Sequence, residues 1–214
     1  MRTFADISVS LDGYVAGPAP SLEEPLGRGG EQLHAWAFRL AAWRRAHGFD
    51  GGEDGPESRW VEAIAERTGA YVMGRRMFSG GAGPWDDDPN ATGWWGDEPP
   101  FHAPVFVVTH HPRPSLELTG TTFTFVTDGV ASALAQAREA AGERDVQVSG
   151  GADVIQQAIE LGQVDELQLH TAPVVLGAGT ALLDGVAPAA LEIVETIATP
   201  QATHVHYRIT KTHS

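Results

Sequence analysis

Cysteine is absent from this 214-residue chain, which excludes disulfides, thiolate catalysis and cysteine-bound metal. Cations are scarce as well. Fourteen lysines and arginines stand against 28 aspartates and glutamates, giving a formal net charge of −14. Such a surface repels phosphate backbones and weighs against nucleic-acid binding. An anionic ligand would need a local gathering of cations. Long apolar runs are also missing: no stretch approaches the roughly 18 consecutive apolar residues of a membrane span, so no membrane partner is expected. The opening MRTFADISVS lacks the apolar centre of a signal peptide and alternates instead. With no targeting segment to read, a cytoplasmic location is expected.

What is present reads as one α/β domain over residues 1–214. Apolar residues make up 42% of the chain, and no composition break or repeat divides it. Residues 3–9 alternate like a strand, and Asp12-Gly13 marks a turn. Leu33, Trp36, Ala37 and Leu40 recur at helical spacing, which predicts an amphipathic helix over 31–46. A second helix is expected over 57–67, and a short buried strand over 71–73. Residues 79–103 hold many glycines and prolines together with Trp85, Trp94 and Trp95. Three tryptophans carry apolar area that seeks burial, so this reads as a folded loop over a pocket or a subunit contact. Val105–Val108 is apolar throughout, as in a central strand buried on both faces. Strands at 123–126, 146–148 and 164–170 alternate with helices at 129–141 and 152–161. That order predicts a mainly parallel sheet flanked by helices. Runs at 190–197 and 203–211 around Thr199-Pro200 predict a closing antiparallel hairpin.

In open α/β sheets, ligands bind at the carboxyl ends of strands. Three such ends carry distinctive residues. Ser149-Gly150-Gly151-Ala152 sits between a strand and a helix, where glycines admit a close ligand and the helix N-terminus offers free amides. It reads as a pyrophosphate site or as a tight turn. Arg75-Arg76 after Gly74 reads as a phosphate fork or as a solvated, salt-bridged pair. Thr109-His110-His111 adds hydroxyl and imidazole groups. Adjacent histidines on an extended chain point opposite ways and have no acidic neighbour in sequence, so no metal is expected there.

Taken in order, Ser10-Leu11-Asp12-Gly13, Val72 to Arg76, Val107-Val108-Thr109, Ser149 to Ala152, Gly162 to Leu167 and Pro173 to Gly179 form a specific set. The chain resembles the RibD C-terminal-domain family, the reductase domain of bacterial riboflavin biosynthesis within the dihydrofolate reductase superfamily, in its stand-alone form. The resemblance spans essentially the whole sequence. It implies a dihydrofolate-reductase-like fold, NADPH as cofactor, and a homodimer, for which the apolar Pro173–Gly179 segment is the expected contact strand. Gly74, Arg75 and Arg76 would meet the adenosine 2′-phosphate, with Thr109 and His110 bordering it. Ser149, Gly150, Gly151, Ala152, Asp153 and Val154 would line the pyrophosphate and nicotinamide ribose. His170 stands where the superfamily strand passes beneath the substrate, facing either the substrate or the packed interior.

Three departures matter. Met77 replaces the usual threonine after the basic pair. Leu33 stands where dihydrofolate reductase has its pterin-anchoring carboxylate, with Glu31 nearby. Pro99–Ala103 lacks the cation that holds a folate tail. The first removes a hydroxyl contact to the cofactor; the last two weigh against dihydrofolate, and the resemblance implies a ribosylaminopyrimidine-like substrate. Asp12, Glu31 and His34 are the candidate proton donors. Asp12 reads equally as a turn residue. Trp36 and Trp95 are candidate stacking residues, and Trp36 reads equally as core. The rival readings are a non-catalytic protein holding a nucleotide or planar ligand on the same fold, dihydrofolate reductase proper, and a nicotinamide enzyme of the standard dinucleotide fold. The missing G-x-G-x-x-G after the first strand disfavours the last.

Overall fold

A nine-stranded sheet organises the molecule, in the order β10-β11-β8-β1-β7-β3-β4-β6-β5. The computed structural model describes residues 1–210. The strands are β1 (Thr3–Ser10), β2 (Tyr14–Ala16), β3 (Thr68–Gly74), β4 (Val105–Val108), β5 (Leu116–Leu118), β6 (Thr121–Val126), β7 (Asp145–Gly150), β8 (Glu166–Ala172), β9 (Thr180–Ala181), β10 (Ala190–Ala198) and β11 (Thr203–Thr210). The six from β8 to β6 in that order are parallel to one another. The expected closing hairpin is β10 and β11, and β11 continues antiparallel onto β8. Residue 211, expected in the same strand, lies outside the described residues. Among the described residues, no helix is long and apolar enough to cross a membrane.

The two faces of the sheet differ in chemistry. One is apolar, because every second residue of β1, β3 and β7 is aliphatic: Ala5 and Val9, Ala70 and Val72, Val146 and Val148. Helices α5 (Val130–Ala141) and α6 (Ala152–Glu160) cover it with Leu134, Ala137 and Ile155, all fully buried. Leu134 and Ile155 each contribute roughly 2 kcal/mol by leaving water. The opposite face carries Phe4, Asp6, Ser8 and Ser10 on β1. It is roofed in two places. Over β8, β1 and β11 lie α1 (Ala35–Phe38) and α3 (Pro56–Arg67), with Trp36, Trp60 and Ile64 buried. Over β3, β4 and β6 lie α4 (Arg75–Ser79) and the tryptophan loop. There Trp85, Trp95 and Phe101 pack on Phe78 and Phe123.

Two expectations are corrected. The helix expected over 31–46 is broken into a 3-10 turn (Gly30–His34), α1, and α2 (Ala41–Ala46). Leu40 turns extended at the break and bridges to Glu53. Ala41 N–H donates to Glu53 O, and Glu53 N–H donates to Arg39 O. A contact from the 48–55 loop thus outbids helical continuity, which a periodicity argument cannot foresee. Pro173–Gly179 is not a strand either. It is an irregular segment with Val175 exposed, its path set by hydrogen bonds to the β1–β2 turn.

Two cations hold the tryptophan loop: Arg113, which donates to Ala91 O and lies over Trp85, and the more deeply buried Arg75. Arg75 is buried and lies 2.5 Å from Asp88, with its guanidinium 3.6 Å from the centre of the Trp85 ring. It also donates to Ser79 Oγ and Gly83 O. Burial works to raise the Asp88 carboxyl, but hydrogen bonds from Ser79 and Arg75 hold it below its ordinary value. Removing one partner of a buried ion pair leaves the other charge uncompensated, at about 3–5 kcal/mol. Arg75→Ala should therefore lower the melting temperature by roughly 10 °C, read by calorimetry. A shift of a degree or two would show that the pair does not anchor the loop.

Candidate active site

Parallel pairing brings the three strand ends of interest to one edge. Met73 pairs with Gly150 and Gly74 with Val108. Ser149–Ala152, Gly74–Arg76 and Thr109–His110 are therefore neighbours on β7, β3 and β4. At Gly74 a Cβ would stand 3.1 Å from Val154 Cγ2, so glycine lets β3 run close under α6. Gly150 has φ +132°, a conformation that side chains disfavour, and its peptide bond to Gly151 is cis. At Gly151 a Cβ would meet nothing within 4 Å. α6 starts there with no side chain capping it. The amides of Ala152, Asp153 and Val154 thus lack helical partners beside open space, at the positive end of the helix dipole. The Asp153 carboxylate is turned to Gln157 Nε2, 2.9 Å away.

The basic pair divides in two. Arg75 is committed to Asp88 and the tryptophan loop, so the salt-bridged reading applies to it. Arg76 is exposed and has no carboxylate partner among the described residues. His110 is exposed too, on the neighbouring strand end of β4. Thr109 is buried: its amide donates to Val126 O, and its Oγ1 accepts from the His111 amide. A surface cavity of about 500 Å³ opens past the end of β4, lined by Trp85, His111, Pro112 and Arg113 among others. The Arg113 guanidinium lies 4.6 Å from the Trp85 ring centre and 4.7 Å from that of Phe125. Sequence reasoning passed over Arg113, whose only signal was a cation between two prolines.

On the polar face, a buried hydrogen-bonded chain runs across three strands. His170 on β8 pairs in register with Ser8 on β1 and His204 on β11. Its Nε2 is 2.6 Å from Asp6 Oδ1, and its Nδ1 is 2.7 Å from His204 Nδ1. His204 Nε2 is 2.9 Å from Glu57 Oε1 on α3. Glu57 also accepts from Thr199 Oγ1 at 3.0 Å and from Arg39 at 2.6 Å. Burial works to raise the Glu57 carboxyl, but the His204 and Thr199 hydrogen bonds and the Arg39 charge leave it below its ordinary value. Trp36 forms one wall, 4.6 Å from both imidazoles, and donates its indole N–H to Ser8 Oγ. Trp60 stands just over 6 Å from each.

Asp6 follows directly on the last pairs of β1 with β7, Phe4 with Gln147 and Ala5 with Val148, and at Ser149 β7 slips its register against β3. Ser149 Oγ is buried with no partner among the described residues. Asp6, with its side chain 14% exposed, is the most accessible member of the chain. Alternation made Asp6 look like an ordinary polar strand residue, and nothing in the sequence marked it.

The candidate proton donors fare unevenly. The Asp12 carboxylate accepts from the amides of Leu176 and Gly177, at 3.1 and 2.7 Å. A Ser10 hydrogen bond and these amides lower its pKa to about 2. It is a loop anchor held ionised, which corrects its assignment as a donor. Glu31 is exposed on the 3-10 turn, and the neighbouring Leu33 is fully buried. His34 is half-buried near His170, with Nδ1 unpartnered among the described residues. Trp36 is core, not a free stacking surface. Trp95 packs 4.9 Å from Phe101 within the loop cluster. His170 is 3% exposed and faces the packed interior.

This geometry can be set beside known proteins. The model of the RibD C-terminal domain family matches residues 3–205. The chain belongs to that family. Among curated proteins, none matches significantly. Solved structures do match in fold. A Shewanella sp. PV-4 protein, provisionally named for riboflavin biosynthesis, aligns with TM-score 0.64 at 19% identity, over 99% of this chain and 100% of that one. The Thermotoga maritima diaminohydroxyphosphoribosylaminopyrimidine deaminase/5-amino-6-(5-phosphoribosylamino)uracil reductase gives 0.55 at 13%, over 98% of this chain and 56% of that one. Enterococcus faecalis dihydrofolate reductase, solved with NADP(H), gives 0.52 at 16%, over 98% and 97%. At these identities the likeness is one of fold: the dihydrofolate-reductase-like α/β architecture.

His34 provides a check on the polar face. Burial, and after it the His170 charge, lower its pKa to about 4. The unfolded chain then binds the proton first, so stability falls as pH drops from about 6.5 towards 4. Urea unfolding of wild type and His34→Leu at about pH 7 and pH 5 should show the variant losing less on acidification, by roughly 1–2 kcal/mol. Equal losses would mean that His34 is not desolvated.

Proposed function

We propose that this member of the RibD C-terminal domain family is an NADPH-dependent reductase that reduces a small heterocycle of the ribosylaminopyrimidine kind. The observation that carries the reading is the meeting of three strand ends under the uncapped start of α6, with open space over Gly151. A dinucleotide suits that edge. The amides of Ala152, Asp153 and Val154 would hold the pyrophosphate, with Gly150 and Gly151 permitting close approach. Gly74 keeps β3 near, and Thr109 fixes the turn after β4. Arg76 would take the 2′-phosphate, with His110 beside it; Arg75 supports that edge by folding the loop. NADPH, when bound, supplies the hydride. An exposed arginine positioned for a 2′-phosphate is what favours NADPH over NADH.

The family match supports a reductase, and the chain itself narrows the substrate. Leu33, fully buried, occupies the region where a pterin-binding carboxylate would be needed. The segment before β4 offers no cation for a folate tail. Both features weigh against dihydrofolate.

Arg76→Ala separates the cofactor assignment from general damage. A lost charge-assisted contact costs about 1.5–3 kcal/mol, so NADPH affinity should fall roughly 10- to 100-fold while NADH affinity holds. Titration calorimetry or fluorescence reads both. Equal losses for the two cofactors would overturn the 2′-phosphate assignment.

A further inference from the structure

A second cavity, of about 420 Å³, lies away from the cofactor edge. Helix α3 walls it with Trp60, Ile64 and Arg67, and β8, β11 and β10 floor it with Gln168, His206 and Ile197. Those three strands stand on one side of β1 in the sheet, whereas β7, β3 and β4 stand on the other. The lining includes none of Gly74–Arg76, Thr109–His110 or Ser149–Ala152. A bulge in β10 completes the floor. Ile193 pairs with Tyr207, and Glu195 pairs with the next residue along, His206. Strict alternation from Ile193 would send Glu195 and Ile197 to the other face of the sheet; the extra residue, Val194, turns both to the cavity.

The walls hold polar groups without partners. Ten buried side-chain polar atoms lack a partner among the described residues, and four of them belong to residues lining this one cavity: Trp60 Nε1, Arg67 Nη2, Gln168 Oε1 and His206 Nε2. Gln168 is 4% exposed and Trp60 9%. A buried polar group without a hydrogen bond is destabilising, so four around one cavity point to a guest that completes them. Two charges stand at the rim. Arg59 and Glu195 are exposed, line the cavity and have no partner among the described residues. The charges beneath them cancel. Fully buried Glu166 meets Arg2 and Arg67, and Arg67 also meets Asp145. His206 Nε2 stays 3.1 Å from Glu166 Oε2. One cation and one anion remain for a ligand.

We propose that this cavity binds a free amino acid with an apolar side chain. The carboxylate lies towards Arg59, with Arg67 Nη2 and the Trp60 indole N–H as further donors. The ammonium lies towards Glu195 and Gln168 Oε1, the two acceptors. The side chain rests on the apolar cluster of Trp60, Ile64 and Ile197. A zwitterion answers both rim charges at once. An acid alone would leave Glu195 unanswered, and an amine alone would leave Arg59 so. At about 30 Å³ each, as for water in the liquid, the cavity has room for about a dozen non-hydrogen atoms. The site does not depend on the reductase reading. Trp60 serves as its reporter, since its ring also stands 6.3 Å from His170 and 6.2 Å from His204 on the polar face.

The test uses the whole chain and three probes: L-phenylalanine, 3-phenylpropionate, which lacks the ammonium, and phenethylamine, which lacks the carboxylate. Titration calorimetry should show L-phenylalanine binding saturably, with Kd of about 1 mM or tighter. Indole N–H NMR should show the Trp60 signal moving with the same saturation. Each single-charge probe should bind about tenfold more weakly or less. No saturable binding of L-phenylalanine, or equal binding of all three, would overturn the proposal. Arg59→Gln and Glu195→Gln alter exposed residues, so the melting temperature should hold while each weakens L-phenylalanine about tenfold. Unaltered affinity in either variant would overturn the assignment. Binding should persist with NADPH at saturation; competition between the two would place the probe at the cofactor edge and overturn the second site. Failure of the chain to bind NADPH would defeat the reductase reading and leave this site standing.

Discussion

Parallel pairing of β1, β7, β3 and β4 is the constraint on which the site depends. It forces the carboxyl ends of four strands to one edge, whatever the loops between them do. The same pairing carries β1 alongside β7 as far as Ala5 and Val148, one residue short of Asp6 and Ser149. Every proposed contact at the edge follows from that register. A one-residue slip of β1 against β7 would turn Asp6 into the aliphatic face and replace it with Ile7. The apolar layer under α5 and α6 is what opposes such a slip. Ala5, Val146 and Val148 are fully buried there and have no tolerance for a carboxylate among them.

Charge sets the second level of order. In a chain this acidic, most arginines are structural. Arg75 folds the tryptophan loop, Arg39 braces Glu57 and Glu53, and Arg67 lies between Asp145 and Glu166. Arg76 is exposed and unpaired among the described residues, as Arg28 and Arg59 are, and differs from them in standing at the strand end beside the Gly-Gly turn. Adjacent arginines in sequence thus took opposite roles. The first residue of α4 points its guanidinium into the loop that α4 precedes, while the second points outward. No sequence rule distinguishes them, because the deciding partner, Asp88, lies 13 residues away in an irregular loop.

The fold was legible because its signals are local. Alternation marked β1, the apolar run marked β4, and the helices after β6 and β7 carry clean periodicity. The edge residues were legible for the same reason, since Gly150-Gly151 and Gly74-Arg75-Arg76 sit where strands end. What stayed hidden was non-local. The break at Leu40 comes from Glu53, and the irregular path of 173–179 comes from Asp12. Asp12 attracted notice in a conspicuous Asp-Gly turn, yet its carboxylate is spent on two amides. Asp6, two positions before Ser8 in an unremarkable strand, gained its chemistry from His170 and His204 on strands that follow more than 160 residues later. Only the register of β1, β8 and β11 brings them together.

The central claim is that a dinucleotide lies over the start of α6, across the ends of β7, β3 and β4. Backbone amide NMR during titration with NADPH tests it most directly. The account predicts that the largest shifts fall on Gly74, Gly150, Gly151, Ala152, Asp153 and Val154, with a smaller set around Arg76 and Thr109. Saturable binding with those amides unmoved, and shifts gathered elsewhere on the chain, would contradict it.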